Sequence, residues 1–166
     1  MKDESLIEAI KGRRSVRRYK KDPFQMEILA SFVEAARWAP SAGNSQPWEF
    51  LLINDERMVR ALKSVSPGWL RDAPALIVMC INKERETNWS YVDIGAAMQN
   101  MLLYAHSMGY GCCPIGSFVI EAVNGLLELS PELEPVLLMT VGYPDEEPPT
   151  TTRLSLDELI FKRVGN

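Results

Sequence analysis

Ala75-Leu76-Ile77-Val78-Met79-Cys80-Ile81 runs seven residues without a polar side chain, directly behind Pro74. A continuous apolar run of this kind suits a central strand, covered on both faces by other elements. The segments around it supply the rest of a layered fold. Trp48 to Ile53 reads as a second buried strand, and Pro135 to Tyr143, rich in Val and Leu, as a third. Helical spacing marks Ser5 to Lys11, with Leu6, Ile7 and Ile10 on one face, Asp3 as cap and Gly12 as stop. It marks Met26 to Trp38 again, where Ile28, Leu29, Phe32, Val33 and Ala36 recur behind Pro23. Asp55 to Ser64 reads as a short amphipathic helix and Glu121 to Leu129 as another. Tyr91 to Met108 is a long helix, apolar nearly all round, and so a core or interface element. A last amphipathic segment, Ser155 to Val164, sets Leu156, Leu159 and Ile160 on one side. About five helices and at least three strands give an α+β fold, a central β-sheet flanked by helices.

Length and composition narrow the function. The 166 residues, 46% hydrophobic and 24% charged, fit a single globular domain over 1–166 with a sizeable core. A net charge of -4 argues against a nucleic-acid surface, which needs a broad basic field. No apolar run approaches the roughly 20 residues that cross a bilayer, and the polar start Met1-Lys2-Asp3-Glu4-Ser5 is not a signal peptide; no membrane role and a cytoplasmic location are expected. Cys80, Cys112 and Cys113 lack metal-ligand spacing and are expected to be reduced core residues, and the single histidine, His106, has no evident partners for a metal or nucleophilic site. Met98, Met101 and Met108 read as packing. Gly109, Gly111 and Gly116 follow a helix with the wrong spacing for a dinucleotide fingerprint, and there is no phosphate loop of the nucleoside-triphosphate type.

The positive charge that does exist is concentrated. Gly12-Arg13-Arg14-Ser15-Val16-Arg17-Arg18-Tyr19 packs four arginines and a hydroxyl into one loop of an acidic chain. Guanidinium forks match phosphate oxygens, so this loop is the candidate anion site. Ala39-Pro40-Ser41-Ala42-Gly43-Asn44-Ser45-Gln46-Pro47 is a second loop, all small, polar or proline, whose backbone needs water or a ligand. The tail Glu146 to Thr152 is an extended linker that delivers Arg153.

These segments carry a resemblance. Arg13-Arg14-Ser15-Val16-Arg17 is similar to the amino-terminal phosphate and ribityl motif of the nitroreductase family of FMN-dependent oxidoreductases, and Ala39 to Trp48 to its proline-serine-asparagine loop. Asp93 to Leu103, with Gly109-Tyr110-Gly111 and Pro114-Ile115-Gly116, resembles the family's central helix and flavin-edge loop. Gly142-Tyr143-Pro144 with Arg153 resembles its carboxy-terminal segment. The resemblance implies a nitroreductase-like fold assembled as an interlaced homodimer, with FMN at the subunit interface. It implies that Arg13, Arg17 and Arg153 hold the phosphate while Arg14 and Ser15 follow the ribityl chain and ring edge. Pro40, Ser41 and Asn44 would reach the ring from the partner subunit, and Pro114, Ile115 and Gly116 would approach it near N5. Many relatives carry a lysine near flavin N1 and O2; this chain has Trp69 or its neighbours there, with Arg71 the nearest cation. It also lacks room for the helical insertion that larger members place over the flavin.

The implied reaction is a ping-pong transfer of hydride from NADH or NADPH through FMN to a small electron-poor acceptor, a nitroaromatic or quinone. The cofactor does that chemistry, so no side chain is assigned as catalytic and no metal is expected. A non-enzymatic flavin-binding protein and a family variant performing flavin fragmentation or dehalogenation are the alternatives.

Overall fold

The computed structural model describes residues 3–69 and 71–165. In chain order, α1 (Asp3–Gly12) and α2 (Met26–Ala36) precede β1 (Trp48–Ile53), α3 (Glu56–Ser64), β2 (Ala75–Asn82) and α4 (Ser90–Ser107). Then come β3 (Gly111–Ile115), α5 (Ile120–Leu127), β4 (Leu133–Gly142) and one turn of helix, α6 (Leu156–Leu159). The four strands form one antiparallel sheet in the order β1-β2-β4-β3.

The apolar run of β2 works as its composition demands. Successive strand residues point to opposite faces, and here both faces are covered. Ile77, Met79 and Ile81 pack with Leu29, Phe32, Ile94, Ala97 and Met101 of α2 and α4. Leu76, Val78 and Cys80 pack with Val59, Leu62 and Val123 of α3 and α5. The expected α+β fold, a sheet between layers of helix, is the observed one.

Two expectations need correction. Gly111–Ile115 is a strand, β3, where glycines and Pro114 had suggested a loop. It lies at the sheet edge, where a proline costs no ladder hydrogen bond on its open side, and its register with β4 runs from Gly111↔Gly142 to Ile115↔Leu138. The amphipathic segment at 155–164 forms only the α6 turn, capped by Ser155 and Glu158. Its apolar residues stay exposed, Phe161 fully and Leu156 at 72%, and a short helix without a surface to pack on has little to hold it.

Candidate functional site

The arginine loop is held by the edge it lies against. Ser15 bridges Cys112 of β3 in parallel fashion, and the Val16 N–H donates to the Cys112 carbonyl at 2.9 Å. This close approach requires Gly111: a Cβ there would sit 2.7 Å from a Val16 methyl. Val16 and Tyr19 turn inward, and the Tyr19 hydroxyl donates to the Val16 carbonyl and meets Thr140 Oγ1 at 2.8 Å. Burial drives the Tyr19 phenol well above its ordinary value, leaving it a neutral hydrogen-bonding peg.

The chain then returns along the other side of the loop. Tyr19 bridges Pro144, the Lys20 N–H donates to the Tyr143 carbonyl at 2.9 Å, and the Asp145 N–H donates to the Arg18 carbonyl at 3.0 Å. Glu146 Oε1 accepts the backbone N–H groups of Arg17 and Arg18 at 2.6 and 2.9 Å. Those bonds, the one from Arg17 foremost, hold the Glu146 carboxyl below the usual carboxylate range, with Arg18 and Arg71 adding positive charge nearby. A carboxylate thus occupies two of the loop's backbone donors and leaves its side chains uninvolved.

Those side chains divide. Arg14 donates to the carbonyls of Lys11 and Arg13 and, at 2.7 Å, to Thr150 Oγ1, so it fastens the tail. Arg13, Ser15 and Arg17 belong to the segment that lies along β3, Ser15 bridging Cys112 beside the Cys113 thiol. Burial pushes that thiol up while Arg17, a hydrogen bond with Ser15 and Arg13 draw it down. Among the described residues neither Arg13 nor Arg17 pairs with a carboxylate. Two guanidinium groups without ion pairs among the described residues, Arg17 touching only the Ser15 carbonyl at 3.5 Å, and a hydroxyl are the donor types that a phosphate monoester takes. A cleft of about 350 Å³ opens beside Arg13, lined also by Arg14, His106, Tyr110 and the acids Glu146 and Glu147, and not by Ser15 or Arg17. Arg153 lies three residues beyond Thr150, an extended reach of about 10 Å, and bonds its own tail at Thr151 and Thr152.

Farther along β3, Pro114 is half-buried and the Ile115 side chain lies in the α3/α5 core, so that position offers only backbone. Gly116 is exposed, and a Cβ built on it would meet nothing within 4 Å. An open strand edge ending in glycine fits the approach of a flat ring. Trp69 is buried in the same core, and Arg71 is exposed. The three cysteines are free and buried, and burial pushes Cys80 up to about 12.

Pro40, Ser41 and Asn44 lie elsewhere. Their loop closes with a single 3₁₀ turn at Ala42–Asn44 and three residues of positive φ, Gly43 (59°), Asn44 (57°) and Gln46 (46°). It leads into Trp48, which pairs with Ile81 of β2, itself opposite Glu134 at the start of β4. The arginine loop sits against Cys112, opposite Val141 near the end of β4. The two loops therefore occupy diagonal corners of the sheet, about 14 Å apart across the strands and over 20 Å along them. One chain does not bring them together.

The sequence matches the nitroreductase family over residues 10–69 and 62–143. This chain belongs to the nitroreductase family. A protein of Methanothermobacter thermautotrophicus, named for NADH dehydrogenase and NAD(P)H nitroreductase activity, is 30% identical over 166 residues, covering 95% of this chain and 87% of its own. A nitroreductase-named protein of Desulfovibrio desulfuricans, solved in complex with FMN, superposes with a TM-score of 0.86 at 30% identity, covering 97% and 98% of the two chains. An FMN reductase [NAD(P)H] of Bacillus subtilis is 26% identical, covering 90% of this chain and 70% of its own. The fold is accordingly the α+β nitroreductase fold.

Sequence reasoning missed the residues that hold these two loops and the tail in shape. Glu146 was one acid in a linker, and Thr150, Thr140 and Tyr19 carried no signal of their own. Asp93, buried at the start of α4, stood in the matched helix without a role. Each acts on a partner between 51 and 136 residues away in sequence, a distance over which local patterning is blind.

Proposed function

We propose that this chain is an FMN-dependent oxidoreductase that passes hydride from NADH or NADPH to a small electron-poor acceptor, a nitroaromatic or quinone, by a ping-pong scheme. The observation that carries it is the loop of Arg13, Ser15 and Arg17 laid along the open edge of β3 by the Ser15–Cys112 bridge, with neither arginine paired to a carboxylate among the described residues. Bound FMN supplies reversible hydride chemistry at its N5. The chain's part is to grip, orient and shield. Arg13 and Arg17 take the phosphate with Arg153, and Arg14 and Ser15 follow the ribityl chain and ring edge. Arg14 keeps the tail in place through Thr150. Pro114, Ile115 and Gly116 offer backbone to the ring edge. No side chain serves as acid or base.

The site is completed by a second copy of the chain, whose Pro40, Ser41 and Asn44 loop faces the ring. The diagonal placement of the two loops supports this, because a two-fold axis can join opposite corners of two copies. So does the apolar surface that one copy leaves open: Leu6, Ile7 and Ile10 on α1, Trp89, Tyr91 and Val92 around the start of α4, and Leu154, Phe161 and Val164 on the arm. The protein acts as one nitroreductase-like domain over 1–166, in the cytoplasm. Among the described residues no helix is long and apolar enough to cross a membrane.

An anaerobic visible spectrum with FMN supplied, before and after NADH or NADPH, tests the reading. Bleaching of the flavin band by either nicotinamide is the expected result, followed by recolouring with a quinone and parallel double-reciprocal lines in steady state. A flavin band that persists with both donors would leave a flavin-binding protein, and intersecting lines would remove the ping-pong scheme.

A further inference from the structure

Asp93 is a buried acid that the reading above does not use. It stands in the first turn of α4, with 5% of its surface exposed. Among the described residues, the one donor it meets is the backbone N–H of Ala42, shared between both carboxylate oxygens at 3.3 Å each. It takes part in no ion pair there. The N-terminus of α4 favours a carboxylate in its first turn, but with one long amide bond beside it that is a modest return for leaving water. Such a group calls for an explanation outside the fold's own stability.

What it holds supplies one. Ala42 begins the 3₁₀ turn whose next residues, Gly43 and Asn44, both have positive φ, as does Gln46. Left-handed backbone at two non-glycine positions in one short loop is strained and needs outside support. Ser41 Oγ accepts the Gln46 N–H at 3.1 Å and supports the loop from within. Asp93 supports it from the helix beneath. The side chains displayed are Ser41 and Asn44, on the far side of the molecule from this chain's own Arg13.

We propose that Asp93 is a positioning residue for flavin binding and that it acts in trans: by fixing the Ala42 turn it shapes the wall of the site built on the other subunit's arginine loop. This rests on the two-copy FMN site of the preceding subsection. Asp93 touches neither phosphate nor ring, and its effect runs through Ser41 and Asn44.

The test is subunit complementation, read as equilibrium FMN binding by fluorescence with no turnover required. Asp93→Ala, which removes the acceptor, weakens FMN binding roughly tenfold or more while the melting temperature of the flavin-free protein holds or rises. Asp93→Asn keeps an acceptor oxygen and restores most of the affinity. The Asp93→Ala chain is then mixed with an Arg13→Ala chain under conditions that exchange subunits. A mixed dimer has one site with both defects and one with neither, so mixing restores tight binding that neither parent shows. Wild-type affinity in Asp93→Ala, or a loss that tracks a fall in melting temperature in both variants, overturns the proposal. Weak binding that mixing does not restore overturns its trans element. Failure of the wild-type protein to bind FMN would strike the preceding reading and take this one with it.

Discussion

The arginine loop and the C-terminal arm carry the two ends of one proposed grip, Arg13 and Arg153, yet they are held in opposite ways. The loop is zipped on one side to β3 through Val16 and Cys112 and on the other to the returning chain through Lys20, Arg18 and Glu146. Two of its residues, Val16 and Tyr19, are 8% exposed. Residues 151–165 are exposed throughout, with Leu154, Leu156, Leu159, Ile160, Phe161 and Val164 facing outward. The first region is finished by its own chain. The second has apolar side chains in helical spacing and nothing of its own to bury them against, which is the pattern of a segment whose partner is another molecule.

The largest effect should come from removing the arm. A chain stopped after Thr152 keeps the Arg14–Thr150 latch and loses Arg153 with the exposed apolar residues. If even two leucine-sized side chains are buried against a second copy, at about 1.5 kcal/mol or more each, the dimer dissociation constant rises about a hundredfold or more. Sedimentation across a concentration series reads this directly, and an unchanged dimer would erase the contrast between loop and arm.

Next in size is the shared grip. Arg13→Ala and Arg153→Ala are each expected to weaken FMN binding by about 1.5 to 3 kcal/mol, the scale of a hydrogen bond to a charged group. Fluorescence titration measures both. Equal losses would show that the free arm reaches the same phosphate as the zipped loop, and no loss in either would remove the phosphate assignment.

Tyr19→Phe probes the loop from inside. It strips the Val16 carbonyl and Thr140 of a buried hydroxyl partner and should cost about 1 to 2 kcal/mol of stability in urea unfolding, with the dimer constant unmoved. A matching loss of dimer would tie the loop to the interface and blur the comparison.

The smallest effect is the pH response of Glu146. Its carboxyl is held below the usual carboxylate range by the loop N–H groups, so its contribution is fully present above that range and is lost as pH falls through the folded value. Glu146→Gln should therefore lower the unfolding midpoint slightly at pH 7 and flatten its fall below about pH 4.5, so that the two proteins converge in acid. Parallel acid limbs for the two proteins would detach Glu146 from the loop.

Much of the fold was legible in the sequence. The strand at Ala75–Asn82 and the strand at Trp48–Ile53 lie where unbroken apolar runs put them, and α4 spans Ser90–Ser107 against an expected Tyr91 to Met108. What failed, failed for tertiary reasons. The strand at Gly111–Ile115 reads as a breaker-rich loop because its extended shape is imposed by pairing with β4, and the arm reads as a helix because its periodicity has no surface in the chain to act on. In the candidate site, the cluster of Arg13, Ser15 and Arg17 was visible as charge density, and its seat against Cys112 of β3 was not.

By itself, then, the sequence determined where chain segments are apolar, at what period, and where positive charge is dense, because those properties belong to neighbours along the chain. Only the tertiary structure decided that a glutamate 129 residues from Arg17 would hold the loop, and that Asp93 would hold a turn 51 residues away. It alone set the two binding loops at opposite corners of the sheet. The physical reason is that a hydrogen bond or a buried contact depends on separation in space, which strand order and register set after the local elements have formed.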